Sequence, residues 1–509
     1  MPIQRALVSS QSDPRLPALV SALIDIGVEV LATRAAAATI RAAGLAVTEV
    51  EALEPRVLAG LLAREKLAEG ETATEPAVID LVIVQMGPEP EPRAGDAPFD
   101  EVLASADLGG PILARIAAAA FERVTVLVDP ADWNRVMYEI YQRGGDSQIE
   151  TRRALALKAI ASAARHEGAL AELLASFDSR GGRRALPAIV SVQAEVIARL
   201  PSGDNGHQVA AFYGLYDAAK GTLPRAMLVG ASPRRPSFQE LLDIDTALDA
   251  IAEHELTAAV MVLRRWPVAA ATGVSQEDVW RAVAAAHHGS SAGGVAAFNR
   301  PLDERAARAL LETPLSVIVA PSFNLSAMDV LEARPELVLL AVREILPPGR
   351  RSQRWLQVSG GFVIEERDAT AAGEVERGRI ATDRQPTEAE RRALAFAWLT
   401  AKHMRSDAAV LVHERPDGLL STVGVGAGCA SLDEALDIAI ARAGTGARGA
   451  ALACDGAILS TRVIELAGRA GITCVVQPGG AESDAQIVSA ADHAAMTMIV
   501  TGVAHVRYS

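Results

Sequence analysis

Apolar runs of strand length alternate with helical patterns through the first third of the chain, and this alternation limits the possible folds more than any other feature. Strands are predicted at residues 5–10, 28–32, 79–86 and 124–128, and helices at 16–26, 35–43 and from 111 onward. Such alternation with short links is typical of a parallel sheet covered by helices on both faces. Helical patterns follow over 130–142 and 150–177, and the second half is again mixed α/β, with strands predicted at 317–320, 409–412, 450–453 and 473–476.

The composition is that of a large aliphatic protein. With 509 residues, half of them apolar and 4% aromatic, the chain is too long for one core, and two to four domains are expected. A net charge of −14 with scattered arginines gives no basic face, so nucleic acid is not an expected partner. No signal-peptide pattern or membrane-length apolar run is visible, so we predict a cytoplasmic protein without a membrane partner. The three cysteines are expected to be reduced, and no metal-ligand spacing occurs.

A polar loop and two glycine clusters are the main candidate binding segments. The loop, residues 203–213, contains Asn205, His207 and Gln208 and leads into an apolar run. Binding groups often lie on such loops, although a lone loop histidine is more often simply hydrogen-bonded. The glycine clusters at 424–428 and 477–480 follow predicted strands, where glycine allows a close approach to a ligand. Ordinary tight turns are the alternative explanation.

These segments occur in a fixed order with several others. The others are Ser10-Gln-Ser-Asp13, Val47-Thr-Glu-Val50, Asp107-Leu-Gly-Gly-Pro111, Val128-Asp-Pro-Ala-Asp132, Ala297-Phe-Asn-Arg300, Val319-Ala-Pro-Ser322, Arg384-Gln-Pro386 and Thr501-Gly502. Each motif alone is weak evidence for a relationship to any family. In this order, and over nearly the whole chain, they make the sequence resemble the bifunctional AICAR formyltransferase/IMP cyclohydrolase family, which completes the purine ring.

The resemblance implies an N-terminal parallel-sheet domain similar to methylglyoxal synthase over residues 1–180. A linker over 181–200 and two deaminase-like formyltransferase subdomains, 201–345 and 346–509, follow from it. It further implies an intertwined homodimer with transferase sites at the subunit interface. A purine-type nucleotide or analogue is the implied ligand, and 10-formyltetrahydrofolate is the implied co-substrate if the transferase half is active.

Residues in family-like positions form the candidate sites. For the nucleotide they are Ser10, Asp13, Arg34, Asp107, Gly109, Gly110, Asn205, Gln208, Asp407, Gly426 and Gly428, and for the folate they are Asp455, Gln477, Gly479 and Gly480. The candidate acid/base groups are His207, His287 and His288, with solvated loop histidines as the alternative. No metal site is expected.

The cyclohydrolase half departs from the family pattern at its chemistry-bearing positions. The family's Ser-Thr-Gly-Gly-Thr phosphate turn corresponds to residues 32–36, Ala-Thr-Arg-Ala-Ala, in which only Arg34 offers a phosphate donor. The family's Lys-Thr-Leu-His-Pro segment has no counterpart after Val57, and its Ala-Ala-Lys-Asn segment is four alanines, 117–120. Without the Lys and Tyr that assist dehydration, we expect ring closure by the family mechanism to be lost.

The transferase half departs in the same way. Aligned on Pro267, the family's Lys-His-x-Asn-Pro-Cys-Gly reads Leu-Arg-Arg-Trp-Pro-Val-Ala over 263–269, and an arginine cannot move a proton near neutral pH. The family's Asn in Lys-Ser-Asn is Asp407, and its folate-side motif keeps only Asp455. The closing Arg-His-Phe-Arg-His is Ala-His-Val-Arg-Tyr over 504–508.

Three functions are compatible with this pattern. The first is a non-catalytic homologue that keeps the scaffold as a partner, regulator or ligand-binding protein. The second is a repurposed enzyme that acts on a purine-like nucleotide in specialised metabolism. The third, and least favoured, is the ordinary bifunctional enzyme with divergent sites, because a missing catalytic segment is hard to replace. The sequence favours the first two and does not separate them.

Overall fold

The computed structural model describes residues 2–10, 13–62, 78–87, 97–216, 218–287, 293–345, 353–368 and 371–508. Its contacts divide the chain into two compact units, Met1–Gln193 and Ala194–Ser509, which we call the small and the large unit. The division lies inside the segment 181–200. Within the described ranges, no single helix has the length and apolarity to span a membrane, and one bent pair, Phe99–Ser105 with Gly109–Ala119, passes by length and composition only.

The small unit is built on a five-stranded parallel sheet of order β3-β2-β1-β4-β5. Its elements are β1 (Arg5–Ser9), α1 (Leu16–Asp25), β2 (Glu29–Ala32), α2 (Arg34–Ala42), β3 (Thr48–Glu49), α3 (Pro55–Leu62), β4 (Leu81–Val84), α4 (Phe99–Ser105), α5 (Gly109–Ala119), β5 (Thr125–Leu127), α6 (Trp133–Gln142) and α7 (Ile149–Ala175). All four residues of β4 are buried, as expected for a parallel strand covered on both faces. The predicted parallel sheet is confirmed.

The order of the strands gives this sheet a switch point between β1 and β4. The chain runs outward from β1 through β2 to β3 and then returns to the opposite side of β1 for β4 and β5. In open α/β sheets, ligands bind beyond the carboxyl ends of the strands at such a point. The loops that follow β1 and β4 therefore define the candidate site of the small unit.

The large unit contains a twelve-stranded sheet of order β16-β21-β20-β19-β17-β18-β10-β9-β11-β12-β13-β8. Its first half is β8 (Met227–Val229), α8 (Phe238–Ile251), β9 (Thr257–Leu263), β10 (Trp266–Gly273), α9 (Gln276–Ala286), β11 (Val295–Phe298), α10 (Glu304–Leu311), β12 (Val317–Ala320), α11 (Leu325–Leu331) and β13 (Val338–Ala341). Its second half is α12 (Glu374–Arg377), β16 (Arg379–Ile380), α13 (Glu388–Ala401), β17 (Ala409–Glu414), β18 (Leu420–Gly426), α14 (Leu432–Ala443), β19 (Ala451–Cys454), α15 (Thr461–Ala470), β20 (Cys474–Gln477), α16 (Asp484–His493) and β21 (Thr497–Val500).

The two halves of this sheet are repeats of one arrangement. Outward from the central pair β10–β18, each half has an antiparallel hairpin, then a further antiparallel strand, then two parallel strands. We call the segment from α8 to β13 the first repeat and the segment from α13 to β21 the second repeat. Together, this mixed α/β unit and the parallel-sheet unit confirm the predicted fold class.

Equivalent sequences begin the two repeats. Residues 234–240 read Arg-Arg-Pro-Ser-Phe-Gln-Glu and residues 384–390 read Arg-Gln-Pro-Thr-Glu-Ala-Glu. In both, the Ser or Thr caps the following helix and the Glu bonds back to the cap amide, which forms a capping box. In both, the leading arginine binds that same Glu, at 2.8 Å in the first repeat and 2.7 Å in the second.

Two separate hairpins complete the large unit. They are β6 (Ala194–Leu200) with β7 (Ala210–Leu215), and β14 (Gln353–Val358) with β15 (Gly361–Glu366). We call the second hairpin the β14–β15 arm. Both carry apolar side chains that water reaches, including Tyr213 and Phe362, which are 56% and 57% exposed.

Candidate functional site

The predicted residues at the switch point of the small unit do lie together. Ser10 Oγ donates to Gln85 Oε1 at 2.6 Å, which joins the loops after β1 and β4. The carboxylate of Asp107 accepts from the amides of Gly87, at 3.0 Å, and Gly110, at 2.8 Å. A Cβ at Gly110 would overlap that carboxylate. Asp107 therefore uses both oxygens for backbone amides, one on the loop after β4 and one at the start of α5, and the close approach of its carboxylate favours glycine at position 110.

The other two predicted charges of the small unit are paired within the protein. Asp13 accepts from Arg15 Nε at 2.9 Å and Nη2 at 2.7 Å. These hydrogen bonds lower the pKa of Asp13, and burial only partly opposes them. Arg34 begins α2, and its guanidinium lies 3.0 Å from Glu51 and 3.6 Å from Glu49. The arginine that could have served as a phosphate donor is thus held by carboxylates.

The polar loop of the sequence is the exposed turn between β6 and β7. Gln208 Oε1 accepts from the amide of Asn205 at 2.8 Å, and the amide of Gln208 donates to the carbonyl of Asn205 at 3.0 Å. His207 is exposed beside them. His287 directly follows α9, and His288 lies outside the described residues. The turn therefore closes on itself through the two amide side chains that the sequence singled out.

A two-residue turn joins β9 to β10. Arg264 and Arg265 occupy it with φ of 54° and 74°, a conformation that costs a non-glycine residue roughly 1–2 kcal/mol. Asp243 offsets the cost by accepting from both arginine amides, at 3.2 Å and 2.6 Å. Burial raises the pKa of Asp243, while these hydrogen bonds act in the opposite direction. The turn is held by a buried carboxylate that no sequence pattern marks.

Four arginines surround two aspartates beside this turn. We call Arg265, Arg354, Arg367 and Arg507 the basic cluster. Arg367 binds both oxygens of Asp249, at 2.7 Å and 2.9 Å. Asp245 lies one helical turn before Asp249 on α8.

Asp245 and Arg507 report the environment of this cluster. Asp245 is exposed to water, yet the protein around it and the charge of Asp249 raise its pKa. Burial lowers the pKa of Arg507, and the positive charge of Arg354 lowers it further. The crowded guanidinium groups give this part of the large unit an affinity for anions.

A buried carboxylate of the second repeat is linked to the backbone of Arg507 through the Ser406 hydroxyl. Asp455, which follows β19, is fully buried and accepts from Ser406 Oγ and, at 2.8 Å, from the amide of Ala408. Burial raises the pKa of Asp455. Ser406 Oγ also accepts from the amide of Arg507 at 2.8 Å. The structure thus brings together Asp455 and the Ser406-Asp407 pair, two of the sequence-predicted positions.

The glycine cluster at 424–428 has a packing explanation. A Cβ on Gly424 or Gly426 would overlap the carbonyl oxygen of Ala439 or Ala435 on α14. Gly428 has φ of 69°, and its amide donates to the carbonyl of Arg405 at 2.7 Å. Glycine is therefore needed here for the close packing of α14 on β18, with or without a ligand.

The second glycine cluster is also tied to its own surroundings. Gln477 is fully buried, and its Oε1 accepts from the amide of Ile458 at 2.8 Å. Gly479 has φ of 69°, and a Cβ there would lie 2.5 Å from the Val500 side chain. The amide of Gly480 donates to Asp484 at 2.8 Å. These contacts support the turn interpretation of the cluster.

A buried ionic cluster was missed from the sequence. Glu253, at the end of α8, accepts from Lys402 at 2.6 Å and lies 2.9 Å from His403 Nε2, both of which follow α13. Burial opposes the charge of Glu253, but His403 and Lys402 outweigh it and hold the pKa of Glu253 at about 2. No signal predicts this contact, because its partners are about 150 positions apart. The repeated Arg-x-Pro-Ser/Thr-x-x-Glu sequence could have aligned the two helices.

Known proteins are similar to this chain over nearly its whole length. Residues 117–442 match the family described as the AICARFT/IMPCHase bienzyme. A "Bifunctional purine biosynthesis protein PurH" of Sorangium cellulosum is 38% identical over 99% of this chain and 100% of its own, and one of Halalkalibacterium halodurans is 34% identical over the same shares. A solved structure titled "Crystal structure of ForH" is 29% identical and covers 34% of this chain and 98% of its own, with a TM-score of 0.29. The family match and the full-length relatives show that the chain belongs to the AICARFT/IMPCHase family of bifunctional purine biosynthesis proteins.

Proposed function

We propose that this chain is a family member that binds a purine-type nucleotide in its large unit and no longer performs formyl transfer or ring closure by the family mechanism. The observation that carries the proposal is the turn at Arg264–Arg265, which Asp243 holds through both backbone amides, with Leu263 and Arg264 aligned to the family's Lys and His. Formyl transfer needs a group that gives and takes a proton near neutral pH. A guanidinium remains charged in this range, so Arg264 does not supply that group.

The basic cluster beside the turn supports nucleotide binding. Its arginines match the geometry of a phosphate, to which a guanidinium can make two parallel hydrogen bonds. Trp266 begins β10 next to the turn, and the Arg405 guanidinium lies 6.0 Å from its ring centre. An aromatic ring paired with a cation is a suitable surface on which a purine base can stack.

The small unit supports the loss of ring closure. Arg34 is paired with Glu49 and Glu51, and Asp107 uses its oxygens for the amides of Gly87 and Gly110. A phosphate would have to break the first set of pairs to bind beside α2. A substrate would have to displace the second set to use Asp107.

Calorimetry and an activity assay test this proposal on the full chain. AICAR titrated into the protein is expected to bind, and Arg507→Gln is expected to weaken binding at least about tenfold, since it removes a charged hydrogen-bond donor. Arg415→Gln, at an exposed residue of the β17–β18 turn, is the matched control. Absence of binding, or formation of IMP from AICAR and 10-formyltetrahydrofolate, overturns the proposal.

A second candidate function is formyl transfer from 10-formyltetrahydrofolate to a purine-like nucleotide analogue. The observation that favours it is the hydrogen-bonded set of Asp455, Ser406 and Arg507, which remains beside Asp407. Mass spectrometry of reactions with 5-aminoimidazole nucleotides and related amines would reveal a formylated product. A product that Asp455→Asn abolishes would support this candidate, and no product from any amine would rule it out.

We also propose that the protein is a homodimer. Two-stranded hairpins are marginal by themselves and rarely leave large apolar side chains in water. Tyr213 and Leu215 on β7, and Phe362 and Val363 on the β14–β15 arm, are all more than half exposed. A second copy would cover them. Light scattering should give twice the mass of 53.3 kDa, and Phe362→Glu with Val363→Lys should shift the equilibrium toward monomer.

A further inference from the structure

His505 lies between two carboxylates near the end of the chain. Its side chain is 2% exposed, its Nδ1 lies 2.6 Å from Asp368 Oδ2, and its Nε2 lies 2.8 Å from Glu374 Oε2. An ionised carboxylate only accepts hydrogen bonds, so both ring nitrogens must donate. The geometry is therefore that of a doubly protonated, positively charged imidazole.

The two carboxylates come from different elements. Asp368 follows the β14–β15 arm, and Glu374 begins α12. Glu374 also accepts from Trp398 Nε1 at 2.9 Å, and the Trp398 ring meets the His505 ring edge-on at 5.3 Å between centres. Among the described residues, Asp368 and Glu374 are the charged groups that bind the imidazole, while α13 contributes the neutral Trp398 ring and the residue after β19 a backbone carbonyl.

His505 belongs to a segment that also carries Arg507. The amide of His505 donates to the carbonyl of Asp455 at 3.2 Å. Two residues later, the amide of Arg507 donates to Ser406 Oγ at 2.8 Å, and the amide of Ser406 donates to the carbonyl of Arg507 at 2.9 Å. The backbone on both sides of Val506 is thus attached to the buried carboxylate site, and the His505 side chain attaches it to the base of the arm.

We propose that charged His505 is a positioning residue, which fixes the C-terminal segment 503–508 between Asp368 and Glu374 and thereby sets Arg507 in the basic cluster. Both ring nitrogens of His505 are engaged by Asp368 and Glu374, so its effect on a ligand is exerted through Arg507. The ligand part of this inference rests on the proposed nucleotide binding. The attachment of the segment does not.

The sign of the pH dependence follows from the two carboxylates. Burial lowers the pKa of His505, but Asp368 and Glu374 outweigh burial, and the net result is a pKa above the usual 6.5. The stabilisation of the attached segment by charged His505 is then complete below pH 6.5, and it is lost as the pH rises through the higher folded-state pKa of His505. Each unit of elevation corresponds to a tenfold change in the equilibrium between the attached and the released segment.

Hydrogen exchange of the full chain tests the attachment without any ligand. After correction for the intrinsic rates, amides of residues 503–508 should lose protection between pH 6.5 and 9 in the wild type. In His505→Gln, which cannot donate from both sides, protection should already be low at pH 6.5 and should not change further. His493→Gln, at the exposed end of α16, is the matched control and should behave as the wild type.

Asp368→Asn provides a milder second variant, because Asp368 is about half exposed and its removal should not endanger folding. It should move the loss of protection to lower pH. Unchanged protection and pH dependence in both variants overturns the inference.

AICAR affinity supplies the second measurement, and its failure has a separate meaning. Affinity should fall with rising pH over the same range as protection, and His505→Gln should remove that dependence. If AICAR does not bind at any pH, the proposed function fails and the exchange result alone decides the attachment. If AICAR binds equally well with the segment attached or released, the positioning of Arg507 is overturned.

Discussion

The two repeats of the large unit place different residues at the same position after the third strand. In the first repeat Asn299 follows β11 and accepts from the amide of Ala258 at 2.9 Å. In the second, Asp455 follows β19 and accepts from the amide of Ala408 at 2.8 Å. The amide of Asn299 also donates to two backbone carbonyls, whereas the carboxylate of Asp455 accepts from the Ser406 hydroxyl.

This difference means that equivalent positions of one architecture serve different purposes: the first stabilises the fold, and the second has the chemical features of a binding site. Asn299 satisfies every neighbour as a neutral group, so the first repeat needs no ligand at this position. Asp455 places a buried carboxyl group, with its pKa raised by burial, beside Ser406 and Asp407. A carboxyl group whose pKa is perturbed by its surroundings is a common mark of a binding site. The second repeat has therefore kept a site-like position that the first repeat uses only for its own stability.

We expect the largest effect at Glu253, because this carboxylate after α8 of the first repeat binds Lys402 after α13 of the second. Glu253→Gln leaves Lys402 buried without its carboxylate, and the free energy of unfolding should fall by about 3–5 kcal/mol. Urea unfolding at pH 7 measures the loss, with exposed Glu255→Gln as control. In the wild type this stabilisation should disappear as the pH falls from 4.5, the usual value, toward about 2, the folded-state pKa of Glu253. An equal loss in both variants would contradict the shared charge.

A glycine substitution tests a second difference between the repeats. Among the strands that the structure describes, only β18 carries glycines whose Cβ would overlap carbonyl oxygens of the following helix. Gly426→Ala should force α14 away from the strand and destabilise the protein by about 3 kcal/mol or more. Gly446→Ala, where a Cβ would meet Val423 at an ordinary 3.6 Å, is the control. If Gly426→Ala is as stable as wild type in urea, packing does not explain the glycine.

Exchanging the amide and the carboxylate tests the main contrast directly. Asn299→Asp should cost about 2–3 kcal/mol, because its carboxylate would face the two carbonyls that the amide now satisfies. Asp455→Asn should cost less, about 1 kcal/mol, and should alter ligand binding more than stability. Urea midpoints and AICAR titrations of both variants measure this. The reverse order of stability effects would undo the contrast.

We expect the smallest effect, and one of equal size in both repeats, from removing the helix caps. Ser237→Ala and Thr387→Ala each remove the cap of an equivalent helix and should each cost about 1 kcal/mol. Their urea midpoints should therefore shift by nearly the same amount. A large shift in only one variant would show that the two helix starts are not energetically equivalent.

Much of the fold could be predicted from local patterns. The helix predicted at 16–26 is Leu16–Asp25, the helix at 150–177 is Ile149–Ala175, and the strand at 473–476 is Cys474–Gln477. These elements are set by periodicity and by short-range turns, which a sequence displays directly. The two similar subdomains follow only from the family resemblance, because the sequence signal of the repeat is four shared positions in each of two segments far apart in the chain.

The site was less predictable, because its contacts join distant residues. Asp407 and Asp455 were found through the family resemblance, whereas Asp243, Arg367 and His505 have no local pattern that marks them. The glycines at 424–428 looked like a ligand loop, since positive φ and close approach serve ligands and helices alike. Only the position of α14 separates the two explanations.

The central strand pair has a consequence for how the chain folds. Ala270 on β10 bonds to Thr422 on β18, 152 positions away, whereas the other strands of each repeat pair nearer in sequence. Local contacts form faster than distant ones, so each repeat should gain its own sheet before the two halves join. Until then β10 and β18 are unpaired edges, open to the wrong partner. Aggregation during refolding should therefore increase with protein concentration and be reduced by peptides that pair with either edge.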